Sequence, residues 1–97
     1  MNYYNEIKNE LINNEITKRV KDYSKNKSEL TTAYNVGKLL NDAGKHYGDN
    51  IIGKYSEKLK LEVNKKYNTT NLKRMRQFYW TIKKRIKFEK FYSPRTT

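Results

Sequence analysis

A run of cationic side chains near the C-terminal end is the part of the sequence best suited to binding a partner. Between residues 69 and 87, apolar residues recur at spacings of three and four, and cations fill many of the positions between them. This pattern predicts an amphipathic helix that docks by its apolar stripe and presents charge to phosphates. The predicted binding residues for nucleic acid or an acidic partner are Lys73, Arg74, Arg76, Gln77, Trp80, Lys83, Lys84, Arg85 and Lys87.

Several of these residues also have a purely structural interpretation. Most Lys-rich helices only present a solvated face, but here the cation density is high and counter-charge is scarce. Trp80 and Tyr79 could stack on bases, as in single-strand binders. The apolar period instead favours Tyr79 in the core and Trp80 at a partly buried edge or a dimer contact. Arg76 lies beside Met75 and Tyr79, so a buried ion pair is its alternative role.

The distribution of charge supports a binding role for the C-terminal half. The net charge is +12 over 97 residues. Residues 1–50 hold eight Lys and Arg against seven Asp and Glu, a net of +1, whereas residues 51–97 hold fourteen against three, a net of +11. Such asymmetry is typical of a surface that meets a polyanion.

Catalysis is not expected from the remaining titratable residues. His46 is the single His, in a predicted loop flanked by glycines, and there is no Cys. The carboxylates are scattered, whereas a nuclease needs them clustered around Mg²⁺. We therefore expect that the protein is not an enzyme and that it has no catalytic residue, metal or cofactor.

The sequence also predicts the cellular compartment. No apolar run approaches the ~20 residues that a membrane span needs, so no membrane partner is expected. The start, MNYYNEIKNE, lacks the basic and apolar stretches of a secretory signal. Abundant Asn, Lys, Ile and Tyr suggest an AT-rich genome. These features predict a cytoplasmic protein of a bacterial cell, encoded by the bacterium, a phage or a mobile element.

Four amphipathic segments are predicted to position the cations. The first runs from Tyr3 to about Tyr23 after an Asn2 cap, and the second runs from Ser28 to a stop at Gly44. The third follows Asp49 or Asn50, and the fourth follows Asn68 or Thr69. The expected fold is all-α, a compact bundle of four to five helices with a helix-turn-helix-like C-terminal half. It forms one domain over residues 1–97, of which 91–97 are a frayed tail.

Two apolar features predict how these helices pack. Gly37 falls on the apolar face of the second helix, where its missing side chain would allow another helix to approach closely. The fourth helix carries a heptad-like seam of Leu72, Met75, Tyr79, Ile82 and Ile86. Because so small a chain gains from extra burial, a homodimer that shares at least one helix face is predicted.

Three stretches carry a resemblance to a known family: ELTTAYNVGKLL, HYGDNIIGKYSEKLKLEV and KYNTTNLKRMRQFYW. They resemble the YhcG-like N-terminal domain, a helical domain of poorly defined function that precedes a PD-(D/E)XK nuclease domain in longer members. The matching residues are Tyr34, Val36, Gly37, Tyr47, Gly48, Ile51, Ile52, Tyr55, Ser56, Leu59, Tyr67, Asn71, Leu72, Met75, Arg76, Phe78 and Tyr79. Tyr34 replaces a common tryptophan and Asn68 a capping serine.

The resemblance covers about residues 30–80 and implies a helical DNA-associated or assembly module, without the nuclease half. The leading prediction is a basic nucleic-acid-binding or regulatory module, with DNA and RNA both open. The alternative is a protein-interaction module from a phage or mobile element that inhibits a nuclease or CRISPR defence complex. Its basic face would then bind an acidic protein or a ribonucleoprotein. A third interpretation is a domain excised from a longer nuclease.

Overall fold

The computed structural model describes the backbone of residues 2–20 and 25–92 and the side chains of residues 2–16 and 29–84. Within these residues the chain forms four helices and no strand: α1 (Tyr3–Val20), α2 (Lys25–Tyr47), α3 (Asn50–Glu62) and α4 (Thr69–Tyr92). Helix α2 is central, since it packs against α1, α3 and α4. The prediction of an all-α bundle is confirmed for the described part of the chain.

Two of the predicted N-caps form as expected. The Asn2 side-chain oxygen accepts a hydrogen bond from the Asn5 amide at 3.1 Å. The Asn68 oxygen accepts one from the Asn71 amide at 2.9 Å, at the start of α4. Each satisfies a backbone donor that the first helical turn leaves without a partner. Asp49 precedes α3 but makes no capping hydrogen bond with its side chain.

The predicted ends of the second helix were wrong. Helix α2 begins at Lys25 rather than Ser28, and it continues past Gly44 to Tyr47. The glycine that ends it is Gly48, whose φ of 89° lies in the left-handed region, where glycine pays no Cβ penalty. His46 is therefore in the last helical turn, not in a loop. The predicted end of the first helix, Tyr23, lies outside the described residues.

The core lies between the helices. Its buried side chains are Tyr4, Ile7, Leu11, Val36, Leu40, Ala43, Ile52, Tyr55, Leu59, Tyr67, Leu72 and Tyr79. On α4, Leu72 and Tyr79 are buried while Met75 and Ile82 are half-buried. The side chain of Ile86 lies outside the described residues. The described part of the α4 seam thus packs inside the bundle, so a homodimer would have to use another face.

Of the described glycines, Gly37 lies at the tightest approach between two helices, α2 and α4. A Cβ built on Gly37 would lie 2.7 Å from the Tyr79 Cβ and closer still to the Met75 carbonyl oxygen. The Tyr34 and Tyr79 rings meet beside this point, with centroids 5.1 Å apart. The close-packing prediction is confirmed. This close contact between α2 and α4 determines which face of α4 points away from the bundle.

The connection between α3 and α4 is tied down by side chains. Ser56 donates a hydrogen bond to the Tyr67 carbonyl oxygen at 3.2 Å, and Asn71 donates one to the Lys66 carbonyl oxygen. Tyr67 is buried and its hydroxyl donates to the Glu15 carboxylate. Burial, reinforced by that carboxylate, raises the pKa of Tyr67. The start of α4 is therefore held against α1 and α3.

Candidate nucleic-acid interface

The face of α4 that points away from the bundle carries a stripe of predicted binding residues. Lys73, Gln77, Trp80 and Lys84 stand at i, i+4, i+7 and i+11, and all four are exposed. We call them the outer stripe. At 1.5 Å rise per residue it spans about 16 Å. Arg74 is exposed at the margin of this face and Lys83 lies one position before Lys84.

Four exposed cations of α4 have no acidic partner among the described residues. Among the described residues, Lys8 pairs with Glu62, Lys60 with Glu57, and Lys66 with Glu15. No described carboxylate forms an ion pair with Lys73, Arg74, Lys83 or Lys84. We call these four the unpaired cations. Over residues 69–92 the sequence holds eight Lys and Arg against one acid, Glu89, so α4 has almost no counter-charge of its own.

Arg76 belongs to a different environment from the unpaired cations. Its side chain is only 12% exposed, and its Nη1 lies 3.2 Å from the Asp49 carboxylate oxygen. Its guanidinium carbon lies 4.7 Å from the centroid of the Trp80 ring. The buried Nε has no hydrogen-bond partner among the described residues. The geometry favours the ion-pair interpretation of Arg76.

Trp80 is exposed yet held in place. It remains 41% exposed, while its Nε1 donates a hydrogen bond to the Asn41 side-chain oxygen at 2.9 Å. Sequence reasoning missed Asn41 and Asp49 as the partners of Trp80 and Arg76. They precede Trp80 and Arg76 by 39 and 27 residues and lie on or beside other helices. No local pattern marks such long-range partners.

Of the remaining predicted residues, the structure describes the side chain of Lys83 but not those of Arg85 and Lys87. Lys83 lies with its Nζ 5.6 Å from the Tyr79 ring centroid, a cation–π contact that leaves the ammonium exposed. Arg85 and Lys87 lie on the α4 backbone, but their side chains are outside the described residues. Gln77, Trp80, Thr81, Lys83 and Lys84 together line a shallow groove along α4.

One ion pair elsewhere in the fold belongs to a cluster between two helices. The Tyr4 hydroxyl donates a hydrogen bond to Glu62, and the Lys8 ammonium lies 3.2 Å from the same carboxylate. These contacts, the Tyr4 hydrogen bond first, hold the pKa of Glu62 below its ordinary range. Burial, followed by the Glu62 contact, raises the pKa of Tyr4. This cluster links α1 to α3.

The described residues offer neither a metal centre nor a membrane-spanning helix. No group of three or more His, Asp or Glu side chains in residues 2–16 and 29–84 could hold a metal ion. None of the helices described for residues 2–20 and 25–92 combines the length and apolar character that a membrane span needs. The chain matches no protein-family model, no curated protein and no solved structure. The resemblance to the YhcG-like domain stays a prediction.

Proposed function

We propose that the chain is a non-catalytic module that binds the phosphate backbone of a nucleic acid through the exposed face of α4. The observation that carries this proposal is the set of four unpaired cations on one helix. Lys38 and Lys54 on other helices also make no ion pair with a described residue, so the distinction of α4 is that eight Lys and Arg share one helix with very few acids. Their scarcity along α4 leaves a positive field suited to a polyanion.

Rigid support of α4 favours the same role. The Gly37 contact and the Tyr34–Tyr79 ring pair fix the helix on α2, and the Asn68 cap fixes its start. A charged face on a fixed element loses less conformational entropy on binding than the same charges on a mobile segment. Phosphate contacts of this kind position a nucleic acid without reading its sequence.

A helix-turn-helix version of this proposal assigns α4 to the major groove of duplex DNA. Helices α3 and α4 are joined by the short connection at residues 63–68. In such motifs the N-terminal residues of the second helix contact base edges. Lys73, Arg74 and Gln77 would take that position here. Binding to duplex in clear preference to single strand would support this version.

The proposal is tested by equilibrium titration of labelled duplex DNA, single-stranded DNA and RNA at low salt. The outer-stripe variant combines Lys73→Gln and Lys84→Gln. The matched control combines Lys38→Gln and Lys54→Gln, two exposed lysines on α2 and α3 that make no ion pair with a described residue. Both variants lose the same charge. We expect the outer-stripe variant to bind markedly more weakly than the control; equal losses would attribute binding to net charge alone.

One observation favours a second candidate function, the protein-interaction module. A shallow apolar groove between α2 and α4 is lined by Leu30, Thr31, Tyr34, Phe78 and Ile82, and Leu30 is 55% exposed. Exposed apolar surface of this kind can receive a protein partner. An inhibitor of a nuclease or CRISPR complex would combine that groove with the basic face. If wild-type protein binds neither DNA nor RNA at low salt, this function takes precedence.

A further inference from the structure

The indole of Trp80 has only its ring left to offer a ligand. A tryptophan side chain carries one polar group, the Nε1 donor, and in this fold that donor is already bonded to Asn41 at 2.9 Å. The ring therefore cannot hydrogen-bond to a base edge without breaking an internal contact. With 41% of the residue still exposed, the remaining interaction is stacking or apolar contact.

The surroundings of the indole hold it in one orientation. The Arg76 guanidinium lies 4.7 Å from the ring centroid and is itself anchored to Asp49 at 3.2 Å. Together with the Asn41 hydrogen bond, this holds the ring at two points: Arg76 lies one turn before it on α4, and Asn41 lies on α2. A fixed aromatic ring loses little rotamer freedom when a ligand stacks on it. Its exposed surface also lies among cations, where Lys84 and Lys83 flank it along the groove.

These observations distinguish between forms of nucleic acid. In a duplex both faces of each base are covered by neighbouring bases, and only edges are accessible in the grooves. Trp80 cannot read an edge without giving up its Asn41 hydrogen bond, and Arg76 is only 12% exposed and paired with Asp49. An unpaired base in a single strand does expose a face, and proteins that bind single strands combine aromatic platforms with a cationic groove. Trp80 between the lysines of α4 has both parts.

We infer that Trp80 is a stacking platform for an unpaired base, so that the ligand of the α4 face is single-stranded nucleic acid rather than duplex. This inference rests on the proposed function and narrows its ligand class. The unpaired cations neutralise the phosphates, Trp80 stacks on one base, and Arg76 and Asn41 act as positioning residues for the ring.

The test uses Trp80 as its own reporter, because it is the single Trp of the chain. Wild-type protein is titrated at low salt with oligothymidine of about 12 nucleotides, with an abasic strand of the same length, and with duplex of that length. Labelled strands give affinity by anisotropy, and indole emission reports stacking. We expect oligothymidine to quench the emission and to bind more tightly than the abasic strand or the duplex. This comparison needs no mutant.

Variants then test the residue itself. Trp80→Leu should weaken oligothymidine binding by about 5- to 150-fold and leave the affinity for the abasic strand unchanged. Trp80→Phe should retain part of the affinity for oligothymidine. The matched control is Tyr47→Leu, which removes an aromatic ring that is 61% exposed near the end of α2 and should bind like wild type. Circular dichroism melting identifies any variant that loses the fold.

The outcomes separate the inference from the function on which it rests. Three results together would overturn stacking: equal affinity for duplex and single strand, unchanged indole emission, and a Trp80→Leu variant that binds like wild type. They would leave the proposed function standing. Absence of binding to all three polymers at low salt would overturn both.

Discussion

The contact at Gly37 gives the most sharply defined prediction about the fold. Gly37→Ala would place a methyl group 2.7 Å from the Tyr79 Cβ and nearer still to the Met75 carbonyl oxygen. Neither neighbour is the movable end of a flexible side chain, so α2 and α4 must separate. Overpacking of this kind costs about 1–3 kcal/mol, and contact with backbone places the cost near the upper end.

Helix propensity acts in the opposite direction. Alanine is better than glycine inside a helix by about 1 kcal/mol, so the net expectation for Gly37→Ala is a loss of about 2 kcal/mol. For a domain of this size, that lowers the melting temperature by about 8–16 °C. Gly37→Leu should be at least as damaging.

Gly53 provides the matched control, since it also lies inside a helix but a Cβ there would meet nothing within 4 Å. Gly53→Ala should therefore show the propensity gain alone and raise the melting temperature by about 4–8 °C. Thermal and urea unfolding of the three proteins measure the difference. A Gly37→Ala variant as stable as Gly53→Ala would refute the close approach of α2 and α4.

Three further predictions follow from the ion pairs and the seam. Arg76→Ala should reduce stability by about 1–2 kcal/mol, from the lost Trp80 contact and a partly exposed ion pair, whereas Lys73→Ala should stay within about 0.5 kcal/mol of wild type in urea unfolding. The folded-state pKa of Glu62 is lowered, so its contribution is present above the ordinary pKa of a glutamate and is lost as pH falls through the folded value. The melting-temperature difference between wild type and Glu62→Gln should accordingly shrink on acidification; a constant difference would contradict the Tyr4 and Lys8 contacts. A homodimer formed through a face other than the α4 seam should appear in sedimentation at high micromolar concentration, and a monomer there would contradict the dimer prediction.

The sequence predicts the fold to the extent that local patterns determine it. The spacing of apolar residues predicted that Tyr79 of α4 is buried, as it is. The Asn2 and Asn68 caps are local hydrogen bonds that residue type and position can indicate. The end of α2 was misplaced because Gly44 and Gly48 offer the same local stop signal. In the structure Gly44 stays helical within α2, and Gly48 adopts the positive φ of 89° at which the helix ends.

The sequence located the candidate site but could not identify the partners that set the roles of its residues. Charge density identified α4, and an ion pair was predicted as the alternative role of Arg76, but the pattern alone could not separate Arg76 from the exposed cations Lys73 and Lys84. That separation depends on Asp49, which approaches from the start of α3. The fixed orientation of Trp80 depends in the same way on Asn41 of α2. Roles that depend on residues distant in sequence can be identified only from the packed structure.

The central claim is most directly tested by the salt dependence of nucleic-acid binding. Each neutralised phosphate releases about 0.9 of a counterion on duplex and about 0.7 on a single strand, so four to six contacts give a log–log slope of roughly −3 to −5. The four unpaired cations are the described contributors, and Arg85 and Lys87 would add to them. The variant Lys73→Gln with Lys84→Gln should flatten the slope by about 1.4 to 1.8, while Lys38→Gln with Lys54→Gln should leave it unchanged. No binding at low salt, or equal slopes in the two double variants, would contradict a phosphate-binding face on α4.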